Sequence, residues 1–306
     1  MRDLRLNNVE IEDTFAEAFP MYIGRFIVTA STRRWALTSA QEMKGLGVSA
    51  TLGPGEAGIE REVSIEESPD RRPGYILDVG HRERKELDYW LIARIRKGAL
   101  PVPTTSIFDA MPKEMVQHYV EIKDTPIQLF GDGYEEIVER EGRAVYKIPR
   151  MDGFFYIETK LGVARGIAGG NFLILGESQA SALMAAEVAV DVIKEVPFIF
   201  DPCAGGIAAS GTKVGGRRYK QAVATTNDAY CAAIKDRVEE SRIPPGVNCV
   251  YEVFVNGLDL ASVEKAMRVG IEAATTVAGV KKITAGNYGG KLGKTLIPLK
   301  KVLELH

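Results

Sequence analysis

The acid with the most chemical promise stands in the run Asn248-Cys249-Val250-Tyr251-Glu252-Val253-Phe254-Val255. An otherwise apolar strand either turns such a side chain to solvent by simple alternation or buries it for a reason. Alternation puts Glu252 on one face with Val250 and Phe254, and Tyr251, Val253 and Val255 on the other, so neither face is obviously wet. A carboxyl buried there would have a raised pKa, stay protonated near neutral pH, and donate a hydrogen bond to a developing oxyanion. The competing reading is a structural glutamate paired with a nearby Lys or Arg. Asn171, Asn287 and Tyr288 sit beside glycines at strand ends, where an amide or phenol can reach a ligand without strain. A turn-forming Asn is the alternative there.

Other chemistries find little support. The histidines are His81, His118 and His306, and the cysteines Cys203, Cys231 and Cys249 form no Cys-x-x-Cys pair. A zinc site or a Ser-His-Asp triad would need an unusual assembly from so few groups, so no metal is expected. Three widely spaced cysteines suit reduced thiols in a cytoplasm. The formal charge of -2 gives no bulk pull toward nucleic acid or an anionic membrane. The N-terminal run Met1 to Glu10 lacks an apolar signal core, and no segment approaches the length of a membrane span.

Two glycine motifs fail on context. Gly45-Leu46-Gly47-Val48-Ser49-Ala50 matches a loose dinucleotide fingerprint, but its glycines end a helix and lead into a strand, so a helix C-cap is the better reading. Gly289-Gly290-Lys291-Leu292-Gly293-Lys294-Thr295 resembles a phosphate loop with one residue too few between its outer glycines, and Pro298 blocks the helix such a loop requires. Nucleotide hydrolysis is rejected on those grounds. RNA binding is rejected too, because the basic-glycine-aromatic strand signature of RNA-binding modules is absent.

The elements that must position the polar residues come in two similar sets. In the first, strand Phe26 to Ala30 leads to a helix from Thr32 to Lys44 and a strand from Val48 ending at Ala57-Gly58-Ile59. Strand Tyr75 to Gly80, a helix from Lys85 to Arg96 and a short strand near Ala99 follow. In the second, strand Phe172 to Leu175 leads to a helix from Ser178 to Glu195 and strand Phe198 to Phe200, ending at Gly205-Gly206-Ile207. Strand Tyr251 to Gly257, a helix from Ala261 to Thr276 and strand Lys281 to Thr284 complete it. Leu183, Ala186, Val190 and Ile193 recur at helical spacing opposite Glu187, Asp191 and Lys194, as in an amphipathic helix lying on a sheet. The pattern predicts an α+β protein of two ferredoxin-like lobes, residues 1–149 and 150–306, with Phe26 matching Phe172 and Tyr75 matching Tyr251. Short runs such as Ala144 to Ile148 and Phe154 to Ile157 read as extra strands bridging the lobes.

Polar, glycine-rich loops punctuate the strand ends: Asp13 to Phe19, Gly55 to Glu60, Pro103 to Thr105, Phe130 to Tyr134, Gly169 to Phe172, Ala209 to Gly215 and Ile283 to Lys294. In this order along the whole chain they closely resemble the formylmethanofuran:tetrahydromethanopterin formyltransferase family, above all at Asp13 to Phe19 and Ile283 to Lys294. The resemblance implies transfer of a formyl group between the amine of methanofuran and N5 of tetrahydromethanopterin. It also implies two ferredoxin-like lobes, a homodimer or homotetramer, and no tightly bound cofactor, with the carriers as substrates. It casts Glu252 as the oxyanion partner, and Glu56, Thr104, Asn171, Ser210, Lys213, Asn287, Tyr288 and Lys291 as carrier-binding residues. Because the family's carriers are polyanionic, Lys213, Arg217, Arg218, Lys291 and Lys294 are expected at their acidic ends. The sequence departs from the family pattern at Gly53, Cys203-Ala204, Gly80-His81 and Lys97-Gly98-Ala99. The alternative is a subunit active mainly within a larger formyl-transferring and hydrolysing complex.

Overall fold

The computed structural model describes residues 4–45 and 55–305. Val48, Gly53 and most of the Gly45 to Ala50 fingerprint lie outside them; Gly45 itself caps the helix Arg33–Lys44, donating its N–H to the Gln41 carbonyl. The molecule is a mixed α/β protein of mostly antiparallel sheet with few helices. It divides into two compact units: Met21–Gly166, the N-unit, and the C-unit, which joins the segment up to Pro20 to everything from Ile167 onward. Pro149 falls inside the N-unit, within the strand Arg143–Arg150.

In the N-unit the strand order is Glu56–Val63, Gly74–His81, the later part of Phe15–Thr29, then Ser106–Asp109, each pair antiparallel. Helices Arg33–Lys44 and Arg84–Gly98 cover one face of this sheet, burying Ala36, Ala40, Met43, Leu87, Leu91 and Ile95 against Phe26, Val28 and Leu77. The two helices approach closely where Gly98 meets Met43: a Cβ on Gly98 would lie 2.8 Å from the Met43 backbone nitrogen.

Three expectations need correction. The last strand of the set is Ser106–Asp109 and not a run near Ala99; Ala99 ends a helix, and Pro101 and Pro103 in the turn beyond it have no N–H to give a ladder. Ala57-Gly58-Ile59 begins its strand instead of closing it. The hairpin Arg143–Arg150 and Gly153–Glu158 belongs to the N-unit, whose sheet it extends by parallel pairing with Ser106–Asp109, rather than bridging two lobes. Phe155, Ile157 and Ile148 tie it there by joining the same buried core.

The C-unit repeats the order. Ile199–Phe200 and Ile207–Ala208 pair with Cys249–Gly257, which pairs with the later part of Lys160–Gly176, which pairs with Val280–Thr284, all antiparallel. Val9–Ile11 adds a parallel edge, and Thr295–Pro298 pairs with the start of Phe15–Thr29. Helices Gln179–Ile193 and Leu260–Ala274 begin at Ser178 and Asp259, whose side chains accept from Ser181 and Ser262 backbone N–H groups. Both bury small residues, Ala182, Ala185, Ala189, Ala266 and Gly270, which lets them pack tightly over Phe172 and Ile174.

The registers coincide. Val28 faces Tyr75 and Phe26 faces Leu77 in the N-unit; Ile174 faces Tyr251 and Phe172 faces Val253 in the C-unit. Phe26 and Phe172 are both fully buried, each stabilising its core by roughly 1.5–3 kcal/mol.

Candidate active site

A one-residue shift in register would exchange the two faces of the strand Cys249–Gly257, so its pairing decides the environment of Glu252. Val253 and Val255 point to the helices and join the main core. Glu252 therefore lies on the helix-free face, flanked across the ladder by Leu173 on one side and Ala208 on the other. This face is not open to water, because residues 209–247 return across it: Val247, Tyr230 and Ile243 pack on Leu173, Leu175 and Val250. Glu252 is only 6% exposed, and among the described residues no cation pairs with it. Burial alone pushes its carboxyl up to about 8, so it is protonated at neutral pH. No Lys or Arg among the described residues makes the pair that a structural glutamate would need, and the side chain lines a cavity of about 200 Å³ together with Leu173, Ala208, Ser210, Tyr230 and Cys249.

The loop after Val280–Thr284 supplies the next groups. Tyr288 donates its phenolic O–H to the Thr212 carbonyl (3.3 Å), two residues from Ser210 in the cavity wall. Burial, then the Glu252 and Glu17 carboxylates, both ionised at the alkaline pH where a phenol titrates, push this phenol up to about 12, so it remains a donor at neutral pH. Asn287 spans two contacts: its Nδ2 donates to Thr14 Oγ1 (2.9 Å) and its Oδ1 accepts from the Gly289 N–H (2.8 Å). Asn171 is 4% exposed and its Oδ1 accepts from the Gly286 N–H (2.6 Å), pinning the start of the loop.

The structure brings Asn171, Ser210, Lys213, Glu252, Asn287, Tyr288 and Lys291 into the C-unit. Ser210 is exposed, its hydroxyl 3.3 Å from Thr212 Oγ1. Lys213 is bound to Asp228, which its ammonium holds below the usual carboxylate range. Arg217 lies 4.0 Å from the same carboxylate, while Lys291 and Lys294 are exposed. Glu56 and Thr104 belong to the N-unit. Glu56 is buried at the start of its strand, and Thr104 adopts a left-handed φ of 63°, its N–H donating to Asp152 (2.8 Å) and its hydroxyl accepting from the Ser31 N–H (3.1 Å). Among the described residues no group of three or more His, Cys, Asp or Glu side chains is placed to hold a metal ion, and no helix is long and apolar enough to cross a membrane.

Sequence reasoning missed Glu17. It is 1% exposed and accepts four backbone N–H groups from the loop that carries Asn287 and Tyr288. An acid among small apolar residues on the strand that pairs with Thr295–Pro298 was the available signal, of the same kind as Glu252.

The mixed α/β fold and its comparison with known proteins identify the class as a transferase. Residues 4–150 match the family model described as "Formylmethanofuran-tetrahydromethanopterin formyltransferase", and residues 153–302 match the one described as "FTR, proximal lobe". The formylmethanofuran–tetrahydromethanopterin formyltransferase of Methanocaldococcus jannaschii is 48% identical over 98% of this chain and all of its own length. That of Methanosarcina mazei is 50% identical over 95% of this chain and 97% of its own. The solved formyltransferase of Methanosarcina barkeri superposes with a TM-score of 0.92 at 47% identity, covering 98% of this chain and 100% of that one. A chain of the formyltransferase/hydrolase complex of Methylorubrum extorquens, solved with methylofuran, gives a TM-score of 0.92 at 36% identity, covering 98% and 99%. The chain belongs to the formylmethanofuran–tetrahydromethanopterin formyltransferase family.

Proposed function

We propose that this chain moves a formyl group between methanofuran and N5 of tetrahydromethanopterin, with the C-unit cavity as the place where the transferring carbonyl is polarised. The observation that carries the reading is Glu252, a buried acid kept neutral by burial and turned toward a cavity. In the forward sense the N5 amine attacks the formyl carbon and a tetrahedral oxyanion forms. The bond to the methanofuran nitrogen then breaks, and the proton given up by N5 ends on that nitrogen, which leaves as the free amine. Glu252 donates its hydrogen bond to the oxyanion; a protonated carboxyl in a dry site needs no reorganisation to do so. Asn171, Asn287 and Tyr288 hold the neighbouring loop in shape. The exposed Lys291 and Lys294, with Arg217 and Arg218, meet the acidic ends of the carriers, and Lys213 acts as part of its pair with Asp228. Glu56 and Thr104, both in the N-unit, are further candidates for carrier binding. The chemistry calls for positioning and one donor, with no tightly held cofactor.

The repeated strand order and shared register support two ferredoxin-like lobes from a duplication. We also propose a cytoplasmic location, because the three cysteines are free thiols, and a homodimer or homotetramer, because helix Gln179–Ile193 leaves Leu183, Met184 and Val188 exposed. Light scattering on the active fractions of a gel filtration tests this and separates it from the alternative, activity only inside a larger complex.

The site reading is tested by Glu252→Ala, for which turnover falls roughly 100-fold with modest change in carrier KM, the loss of one oxyanion donor costing about 2.7–4 kcal/mol in the transition state. Glu252→Gln keeps a donor and recovers part of the loss. Near-normal turnover of a folded Glu252→Ala protein ends the proposal.

A further inference from the structure

The glycine-rich loop that imitates a phosphate loop does enclose an anion, and the anion is part of the same chain. Glu17 Oε1 accepts the N–H groups of Tyr288 and Gly290 (2.8 Å for the latter), and Oε2 those of Leu292 (2.8 Å) and Gly293 (3.3 Å). Four backbone donors converge on one carboxylate because Gly289 and Gly290 adopt left-handed φ values of 72° and 75°, the curvature that turns successive N–H groups inward. The loop lies directly on the strand that carries Glu17: a Cβ on Gly293 would come 2.3 Å from the Ala18 carbonyl oxygen. Burial pushes the Glu17 carboxyl up, yet the backbone donors outweigh it and hold the group below the usual carboxylate range.

We infer that Glu17 is a positioning residue of the formyl-transfer site, its carboxylate filling a backbone nest formed by residues 288–293 and so fixing Asn287 and Tyr288 in their working positions. This rests on the reading of the C-unit site given above. The start of the loop is tied separately, Gly286 to Asn171 and Asn287 to Thr14, and its far side runs into the strand Thr295–Pro298, so what Glu17 adds is the curvature between Tyr288 and Gly293. Without an anion the four N–H groups face one another with no acceptor, and the loop must open to reach water. Tyr288 would then leave the Thr212 carbonyl beside the cavity, and Lys291 at the crest would move with it.

The experiment is chemical rescue on the full-length enzyme. Emptying the nest with Glu17→Ala should lower kcat about tenfold or more, toward the roughly 100-fold loss that a misplacement of an ångström can cause. Acetate, a small carboxylate with the two acceptor oxygens the nest needs, should restore kcat along a saturable curve, while chloride at equal ionic strength should not. Acetate should leave Glu252→Ala unrescued, since that variant lacks a donor and not an anion. If Glu17→Ala does not fold, the order of two milder variants decides: Glu17→Asp, which keeps the charge, should turn over faster than the isosteric but neutral Glu17→Gln. Wild-type kcat in a folded Glu17→Ala or Glu17→Gln protein, absence of any acetate effect in a folded Glu17→Ala, or Glu17→Gln outperforming Glu17→Asp would each overturn the assignment. The two readings fail apart, because full turnover in Glu252→Ala removes the acid from the site, whereas full turnover in Glu17→Gln removes only the nest.

Discussion

The helix-free faces of the two sheets make an instructive pair. The shared register sets Asn171, Leu173, Glu252 and Phe254 of the C-unit against Arg25, Ile27, Ile76 and Asp78 of the N-unit. Both faces bury a carboxylic acid, and in both burial raises its pKa. They differ in what surrounds it. Asp78 shares its site with Glu60, whose charge pushes it up further, and with Arg25, which pulls the other way. Arg25 in turn grips Glu60 through two hydrogen bonds of 2.7 and 3.0 Å and also donates to the Ala110 carbonyl. Glu252 has no such company and looks into a cavity. The same frame thus holds an ion-paired acid cluster in one half and, in the other, an acid with no cation paired to it among the described residues that lines a cavity.

The staple should give the largest effect of the comparison. Removing Arg25 with Arg25→Met leaves buried Glu60 without its cation, and breaking such a pair costs about 3–5 kcal/mol of stability. Chemical denaturation should show that loss while kcat of the folded fraction stays near wild type. A matching fall in kcat would mean that the N-unit face takes part in the reaction. A smaller effect comes from Asp78→Asn. A carboxyl whose folded pKa is raised stays protonated in the native state and ionises in the unfolded one, so it withdraws stability as pH rises from its unfolded value of about 3.8 through its folded pKa. The variant should therefore be as stable as wild type in acid and more stable at neutral and alkaline pH. Equal stability across the range would place the Asp78 pKa at its ordinary value. The smallest effect is expected at the rim: Lys291→Ala should raise a carrier KM severalfold at low salt, with the difference shrinking at high salt as screening replaces the lost charge. An unmoved KM would remove this lysine from the binding surface.

Much of this comparison was legible in the sequence. Period and length marked the four long helices to within a few residues, and the matching of Tyr75 with Tyr251 followed from the repeated order of elements. The burial of Glu252 was posed correctly as a question, but only the return of residues 209–247 over the sheet answers it, and that run carries no strong period to read. The Arg25–Glu60–Asp78 staple was hidden because its members come from three strands, and alternation alone cannot say that two acids and a guanidinium meet. Glu17 was hidden for a related reason: its partners are backbone N–H groups, which every sequence has. Lys213 looked like a free cation beside glycines until Asp228, fifteen residues away, closed on it.

Stabilisation of the oxyanion by Glu252 depends on the protonation state of that one side chain. Glutamate carboxyl groups labelled with carbon-13 can be followed by NMR across the pH range in wild type and in Glu252→Gln, so that the resonance missing from the variant identifies Glu252. This resonance should titrate near 8, with turnover falling on the alkaline side as the donor is lost. A midpoint at or below the ordinary 4.5 would mean an ionised Glu252 at neutral pH, unable to donate to an oxyanion, and would contradict the mechanism.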